Sequence, residues 1–591
     1  MAADTTGTRS PRRPQERIQP SSIQQPSGGQ HGLGSKRLVR PVQYSLSADE
    51  AGSSFVTPTQ DDPKFPRVGQ KVGDGERWEL CAVRVGQRFD VVPGLNDDVK
   101  LKDVTTSRES RVEVTAGKTR HVPRLTTRLS IAILVVAYLA LALTFTLLTR
   151  AYEADDESAH TDYVEYIVQH HSIPHIGVAN GGESHQPPLY YLLEAGWQQL
   201  LGIPAFTPQV TLAKEPIGPN RLVLSHNYTP TQHEDAVRLH ELRLLSVLFG
   251  LGTVILTYAG ARVIGLRQAM ALCCGLFVAL LPRELVLSTD VTNDALIIPL
   301  CALALVLFLL AERARSEGRL GHRRLHLLGM GVALGLGAIT KFSGLPVAGI
   351  LFALAFVPSI TLSRPEVHVQ GNPAMSCSDN IRRVGIAPSV LVDGVIAVVG
   401  FFAVSGWWFV RNKILYGQFL ASRKSEGYLK AFVGGAHPVA WTTHLLFNQV
   451  PEVFLQTTWY GQPNLSLPAA VNDILAVVGL LCLVVGAWVL VARRQPKWLT
   501  VPPLSAVALL GCIVGGLIAV IINIKTTSIG DARVAFVGIA AFAMVLALGS
   551  TRLVERINPR WAPMGMWAWP TVLLALDAYV VVRFLVPLGG L

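Results

Sequence analysis

The chain has 591 residues, of which 50% are hydrophobic and only 16% charged. That balance excludes a string of water-soluble domains and places much of the chain in lipid. A formal net charge of +11 would suit a nucleic-acid binder if it lay on a soluble surface. Here the basic residues cluster between apolar stretches, which is the pattern of membrane orientation, so no nucleic-acid partner is expected.

Residues 1–75 are rich in Pro, Gln, Gly and Ser, and the first sixty contain no apolar run. They are expected to form a disordered cytoplasmic tail without a signal peptide, leaving the first span to direct insertion. Residues 76–124 alternate weakly, through Trp78, Leu80, Val83, Val85, Val91 and Val92, and read as a small cytoplasmic β-like module or a linker.

From residue 125 to the end the chain reads as a transmembrane domain. Residues 129–148 form an apolar run of about 20 residues, long enough to cross a hydrocarbon core of about 30 Å. Arg120, Arg124 and Arg128 precede it. Further runs begin near Leu242, Gln268, Leu296, Leu325, Leu345, Ser389, Asp473, Pro502, Val534 and Trp567. The expected fold is therefore all-α and polytopic, with about eleven transmembrane helices. With the amino end inside, the inner turns hold Arg262 and Arg267, then Arg313, Arg315, Arg319, Arg323 and Arg324. Arg364, Arg382 and Arg383 follow, then Arg493, Arg494 and Lys497, then Arg552, Arg556 and Arg560. Every inner turn is basic, as the positive-inside rule requires. Two exterior loops, 150–240 and 411–467, are too long to be simple connectors. The seven cysteines have no metal-site spacing with histidines, and none falls in an exterior loop, so no exterior disulfide is expected.

The first long loop opens with Glu-Ala-Asp-Asp-Glu-Ser-Ala-His at 153–160. A carboxylate fixed at a membrane boundary can take a proton from an incoming hydroxyl, and a His one helical turn away can orient it or share a metal. A solvated acidic loop start is the plainer reading of that segment taken alone. Further on, His185-Gln186-Pro187-Pro188-Leu189-Tyr190-Tyr191 fixes the backbone ahead of an aromatic helix start, an arrangement suited to an interface.

Together these segments resemble the GT-C glycosyltransferases that use lipid-linked sugars, in the branch of protein O-mannosyltransferases and aminoarabinose transferases. In that group an Asp-Glu pair follows the first span, here Asp156-Glu157, and a His/Pro-Pro-Leu-Tyr-Tyr motif lies later in the same loop, here at 185–191. Ser-Thr-Asp-Val-Thr-Asn-Asp-Ala at 288–295 resembles the Asn-Asp turn before a later span. The Gly-rich stretch 335–345 ends in Thr-Lys-x-Ser-Gly, and Gly-Trp-Trp-Phe-Val-Arg-Asn at 406–412 resembles the opening of the second loop. Gly530-Asp531-Ala532-Arg533 stands where many relatives have Gln-Gly-Arg-Tyr, without the final Tyr. The resemblance runs in consistent order over about residues 125–590 and says nothing of residues 1–124.

It implies an inverting displacement in which Asp156 acts as base beside Glu157, with Asp155 the competing choice. His160, His185, Lys341, Arg411 and Arg533 are the implied substrate-binding residues, the three cations facing a lipid phosphate at the ends of spans. The implied donor is a polyprenyl-phosphate sugar, and the acceptor a protein, a glycolipid or a polysaccharide at a plasma membrane. The motifs make no cofactor certain; a divalent cation on Asp156, Glu157 and His160 stays open. A multi-pass transporter or a non-catalytic membrane scaffold remains as the alternative function. A transporter predicts discontinuous helices or midplane charges, and Arg283-Glu284 next to Pro282 is the nearest such feature.

Overall fold

The computed structural model describes residues 101–102, 113–114, 126–154, 156–177, 183–207, 214–218, 221–224, 229–357, 388–421, 427, 442–462, 465–492, 499, 501–527 and 530–588. The expected tail at 1–75, Asp155 and parts of both long loops lie outside the described residues. The chain divides into two units, Met1–His121 and Val122–Leu591. In the first, β1 (Leu101–Lys102) pairs antiparallel with β2 (Glu113–Val114), Leu101 opposite Val114. The rest of the expected β-like module lies outside the described residues.

The second unit is built of helices. α1 (Thr127–Leu148) starts where the Thr126 side chain accepts the Leu129 N–H, satisfying one of the donors a helix start leaves open. Two shorter helices, α2 (Glu157–His170) and α3 (Leu189–Leu201), follow at the amphipathic stretches of the first long loop. A hairpin of β3 (Lys214–Gly218) and β4 (Arg221–Leu224) leads to α4 (Pro230–Val263). A reciprocal Thr229/Gln232 capping box and Pro230 in the first turn define the start of α4.

The chain continues through α5 (Gln268–Ala279), α6 (Pro282–Ser288), α7 (Asp294–Ser316), α8 (Leu320–Ala338), α9 (Leu345–Ala355) and α10 (Pro388–Tyr416). Next come α11 (Val450–Thr457), a strand pair of β5 (Gly461–Gln462) and β6 (Leu465–Ser466), α12 (Ala469–Val491), α13 (Pro503–Thr527), α14 (Ile539–Ile557) and α15 (Ala562–Val580).

Each of the expected apolar runs carries a helix, yet among the described residues eight helices are long and apolar enough to cross a membrane, or nine if the bent pair α5–α6 counts as one span. The difference from eleven has a local cause. α8 opens with His322, Arg323, Arg324 and His326, which lower its hydropathy, and α9 has only 11 residues. The chain is a multi-pass membrane protein.

The centre of the bundle is legible from burial. In α7 and in the segment Ala532–Ile557 that contains α14, 83% and 89% of the apolar window is inside the protein, against 28% in α1, which leaves α1 on the lipid-facing rim. α8 packs on α7 and on α10. A Cβ at Gly331 would collide with the Ala397 carbonyl of α10, and one at Gly335 with the Phe401 backbone. Small residues four apart therefore let the two helices approach to backbone contact, the usual means of helix association in lipid.

α5 and α6 meet at a 63° bend. Pro282 has no N–H to continue the helix, and the Arg283 N–H turns to the Trp459 carbonyl at 3.1 Å. The broken backbone is enclosed by protein, as non-helical chain at membrane depth must be. At the opposite end of the bundle, Asp393 of α10 accepts from Arg323 at 2.6 Å and from Arg324 at 3.2 Å. Arg323 is thus a buried clamp between α8 and α10 as well as a basic residue of an expected turn.

Candidate active site

Consecutive spans run in opposite directions, so the end of α1, the start of α7, the end of α8, the end of α10 and the link from α13 to α14 share one end of the bundle. That end gathers most of the residues the motifs single out.

Asp156 lies between α1 and α2 with φ +60°, a left-handed conformation that Asp tolerates better than most residues. Its carbonyl accepts the His160 N–H at 3.0 Å and so opens α2. Its carboxylate accepts a 2.6 Å hydrogen bond from Arg533 Nη2. Burial of the site pushes this carboxyl up, but the charge and hydrogen bond of Arg533, helped by His160 and Lys341, more than reverse that and hold it at about 2. Asp156 is therefore ionised at neutral pH, and a weak base while Arg533 holds it.

Arg533 belongs to the 3-10 turn Ala532–Gly538 that leads into α14. The Asp531 side chain caps that turn, accepting the Arg533 N–H at 2.8 Å. The same carboxylate takes a 2.5 Å bond from Arg283, carried there by the break between α5 and α6. Arg533 Nε also faces Asp294 at 3.7 Å and Asp531 at 3.5 Å. Lys341, just past α8, donates to Asp294 at 2.7 Å. The result is a ring of three carboxylates and three cations: Asp156, Asp294 and Asp531 with Arg283, Lys341 and Arg533. Asp156 is its exposed member, with 52% of its side chain open, against 2% for Asp294.

Glu157 is built differently. It is fully buried and forms a bidentate pair with Arg243 of α4, at 2.7 Å on each oxygen. It also accepts the N–H groups of Tyr152 at 3.0 Å and Val291 at 3.2 Å. Arg243 in turn donates to the carbonyls of Thr146, Thr149 and Arg150. The Thr146 carbonyl lies in the last turn of α1, which leaves its carbonyls without helical donors, and those of Thr149 and Arg150 follow directly after it. The pair thus ties the end of α1, the start of α2 and the turn before α7 together.

His160, one turn into α2, is buried, and its Nδ1 lies 2.8 Å from the Tyr191 hydroxyl. Its Nε2 lies 3.5 Å from Thr292 Oγ1. Burial lowers its pKa, against the opposing charges of Glu183 and Asp156. Tyr191 stacks on Tyr163 with ring centroids 3.9 Å apart. His185 sits in the half-buried 3-10 turn Glu183–His185 against Gln186. The Pro-Pro corner that follows is pinned by the Leu189 N–H on the Ile339 carbonyl at 2.9 Å. Arg411, near the end of α10, lies over the Trp408 ring at 4.8 Å and donates to the Pro174 carbonyl at 3.3 Å. It lines an open groove with Ile173, His175, Ile414 and Leu415.

Asp156, Lys341 and Arg533 are therefore joined through Asp294, with His160 close to Asp156, while Arg411 bonds elsewhere. Among the described residues no group of three or more His, Cys, Asp or Glu side chains is placed to hold a metal ion. Asp156, Glu157 and His160 instead face Arg533, Arg243 and Tyr191 respectively.

Three residues at the centre of this arrangement were not among the candidates from sequence. Asp294 and Asp531 lie inside quoted motifs but were not singled out; Asp531 stands two residues from Arg533, whereas Asp294 has no cation near it in the sequence and its partner Lys341 is 47 residues away. Arg243 lies within a 34-residue helix without any local pattern that marks it.

Residues 213–365 match the family model for dolichyl-phosphate-mannose-protein mannosyltransferase. Over this segment the chain resembles that family. The segment, less than half of the chain, includes Arg243, Asp294 and Lys341 and agrees with the resemblance to GT-C glycosyltransferases carried by the motifs.

No curated protein matches the chain. Among solved structures, ArnT from Cupriavidus metallidurans bound to undecaprenyl phosphate is 12% identical, with a TM-score of 0.44, over 78% of this chain and 74% of that one. The apo oligosaccharyltransferase of Archaeoglobus fulgidus is 13% identical, with a TM-score of 0.41, over 79% of this chain and 56% of that one. The S. cerevisiae protein O-mannosyltransferase Pmt1-Pmt2 complex bound to the sugar donor gives 18% and 0.34 over 55% of this chain and 38% of that one. The chain thus spans well under two thirds of the yeast and archaeal proteins.

Proposed function

We propose that this chain is a membrane glycosyltransferase that moves a sugar from a polyprenyl-phosphate donor to an acceptor hydroxyl on the exterior face of a plasma membrane, with inversion. The amino terminus, including the tail at 1–75, is then cytoplasmic. The observation that carries the reading is the ion pair of Asp156 with Arg533, beside Lys341 and Asp294, at the ends of membrane helices. It supplies a base and phosphate-binding cations in one place, where a lipid-linked phosphate would lie with its tail in the bilayer.

In this reading Asp156 takes the proton of the acceptor hydroxyl as its oxygen attacks the anomeric carbon. Arg533 and Lys341 meet the charge that develops on the departing lipid phosphate. Glu157 holds the α1–α2 junction through Arg243 and is a positioning residue. His160 orients the acceptor side from its bond to Tyr191, and His185 and Arg411 contact substrate further out. The acceptor is a protein, a glycolipid or a polysaccharide.

The break at Pro282 is the one feature that favours a transporter. It delivers Arg283 to Asp531, so its structural work is spent on this same ring of charges. Membrane vesicles carrying the chain are expected to move labelled sugar from a polyprenyl-phosphate donor into an acceptor fraction, above vesicles without it, and Arg533→Gln to lose most of that transfer. Equal labelling with and without the chain for every donor tried would count against the reading.

A further inference from the structure

The ring of charges contains as many carboxylates as cations. Arg533 is held by Asp156 at 2.6 Å, Lys341 by Asp294 at 2.7 Å and Arg283 by Asp531 at 2.5 Å. A phosphodiester donor bound at this ring brings a further negative charge, and each cation of the ring already holds a carboxylate. The three pairs are not equally easy to open. Arg283 is 1% exposed and Asp294 2% exposed, and separating a buried pair strands a charge in low dielectric. Asp156 is half open, and its departure from Arg533 leaves a carboxylate that water can solvate. Arg533 keeps Asp531 and Asp294 within 3.5 and 3.7 Å of Nε, so its Nη end can change partner while the rest stays anchored.

We propose that the donor phosphate takes Arg533 from Asp156, so that the base is released only when the donor is seated. This rests on the glycosyltransferase reading and adds an order of events to it. Before donor binds, the guanidinium holds Oδ2 of the carboxylate and keeps Asp156 too weak a base to deprotonate an acceptor hydroxyl. Once the phosphate holds Arg533, Asp156 is a stronger base and accepts the hydroxyl proton. The acceptor oxygen then bonds to the anomeric carbon, and the carbon–oxygen bond to phosphate breaks with its electron pair on the leaving lipid phosphate. The added charge falls on the Arg533 already in place; when the lipid phosphate departs, Asp156 gives its proton to water and recovers its partner.

The exchange makes a prediction that a fixed pair does not. If Asp156 competes with phosphate for Arg533, removing its charge must tighten phosphate binding. Full-length chain in nanodiscs is titrated with polyprenyl phosphate, following the wild type, Asp156→Asn, Asp156→Glu and Arg533→Gln. Asn adopts φ near +60° as readily as Asp, so D156N keeps the local backbone. The expected result is about two- to fivefold tighter binding by D156N, the equivalent of losing one exposed ion pair. D156E, which restores a competing carboxylate, returns toward wild-type affinity, and R533Q binds more weakly. Affinity that is unchanged or weaker in D156N while the wild type binds overturns the exchange and leaves the donor assignment standing. Absence of polyprenyl phosphate binding to wild type and variants alike overturns both.

Discussion

Asp156 and Glu157 are neighbours in sequence with opposite physical fates. One is half exposed on a single guanidinium, and the other is buried with both oxygens saturated. Sequence alone paired them because the motif does. Which of the two was free to react depended on Arg243, 86 residues away, and no local pattern announces a partner at that distance. The contrast sets two stability outcomes. Glu157→Gln breaks a buried bidentate pair and is expected to cost about 3–5 kcal/mol, whereas Asp156→Asn should cost about 1 kcal/mol or less. Thermal unfolding in detergent measures both, and equal losses would show that Glu157 is not the anchor described.

Glu194 of α3 gives a pH signature of its own. Burial raises its carboxyl to about 8, although it accepts from the Tyr190 hydroxyl at 2.9 Å. A folded pKa above the unfolded one favours the fold fully below about pH 4.5, and that favour is lost as pH rises through about 8. Glu194→Gln is therefore expected to raise Tm at pH 8 relative to the wild type and to flatten the decline between pH 5 and pH 8, read from melting curves. A parallel pH dependence in both proteins would place the titration elsewhere.

Among the elements, the helices were the legible part. A run of about twenty apolar residues can satisfy its backbone within itself in lipid as a helix, and each run carries one. Whether a run spans was less legible, because the basic start of α8 and the short α9 are excused by their neighbours rather than by their own composition. The bend between α5 and α6 was marked by Pro282, but its purpose, bringing Arg283 to Asp531, depends on a segment far along the chain. Contact between α8 and α10 depends on Gly331 and Gly335. Gly331→Leu should push the helices apart at about 1–3 kcal/mol and lower Tm, since the collision is with backbone and cannot be relieved by a rotamer. At Gly349 on α9 an added Cβ meets nothing within 4 Å, so Gly349→Leu serves as the control. Similar Tm changes in the two variants would contradict the packing account.

For the molecule as a whole, the order of motifs along the chain was informative because alternating spans return to the same end. Segments after α1, before α7, after α8 and before α14 had to meet once the helices were placed, and they meet as Asp156, Asp294, Lys341 and Arg533. The pairing among them was not legible, since side-chain partners follow from packing distances that no periodicity encodes. The measurement that tests the central claim most directly is transfer of labelled sugar from a polyprenyl-phosphate donor by membranes with equal amounts of inserted wild type and Asp156→Asn. The account predicts transfer by the wild type and a loss of at least about a hundredfold in the variant, the scale of a missing general base. Equal transfer by the two would remove Asp156 from the chemistry and contradict the site described here.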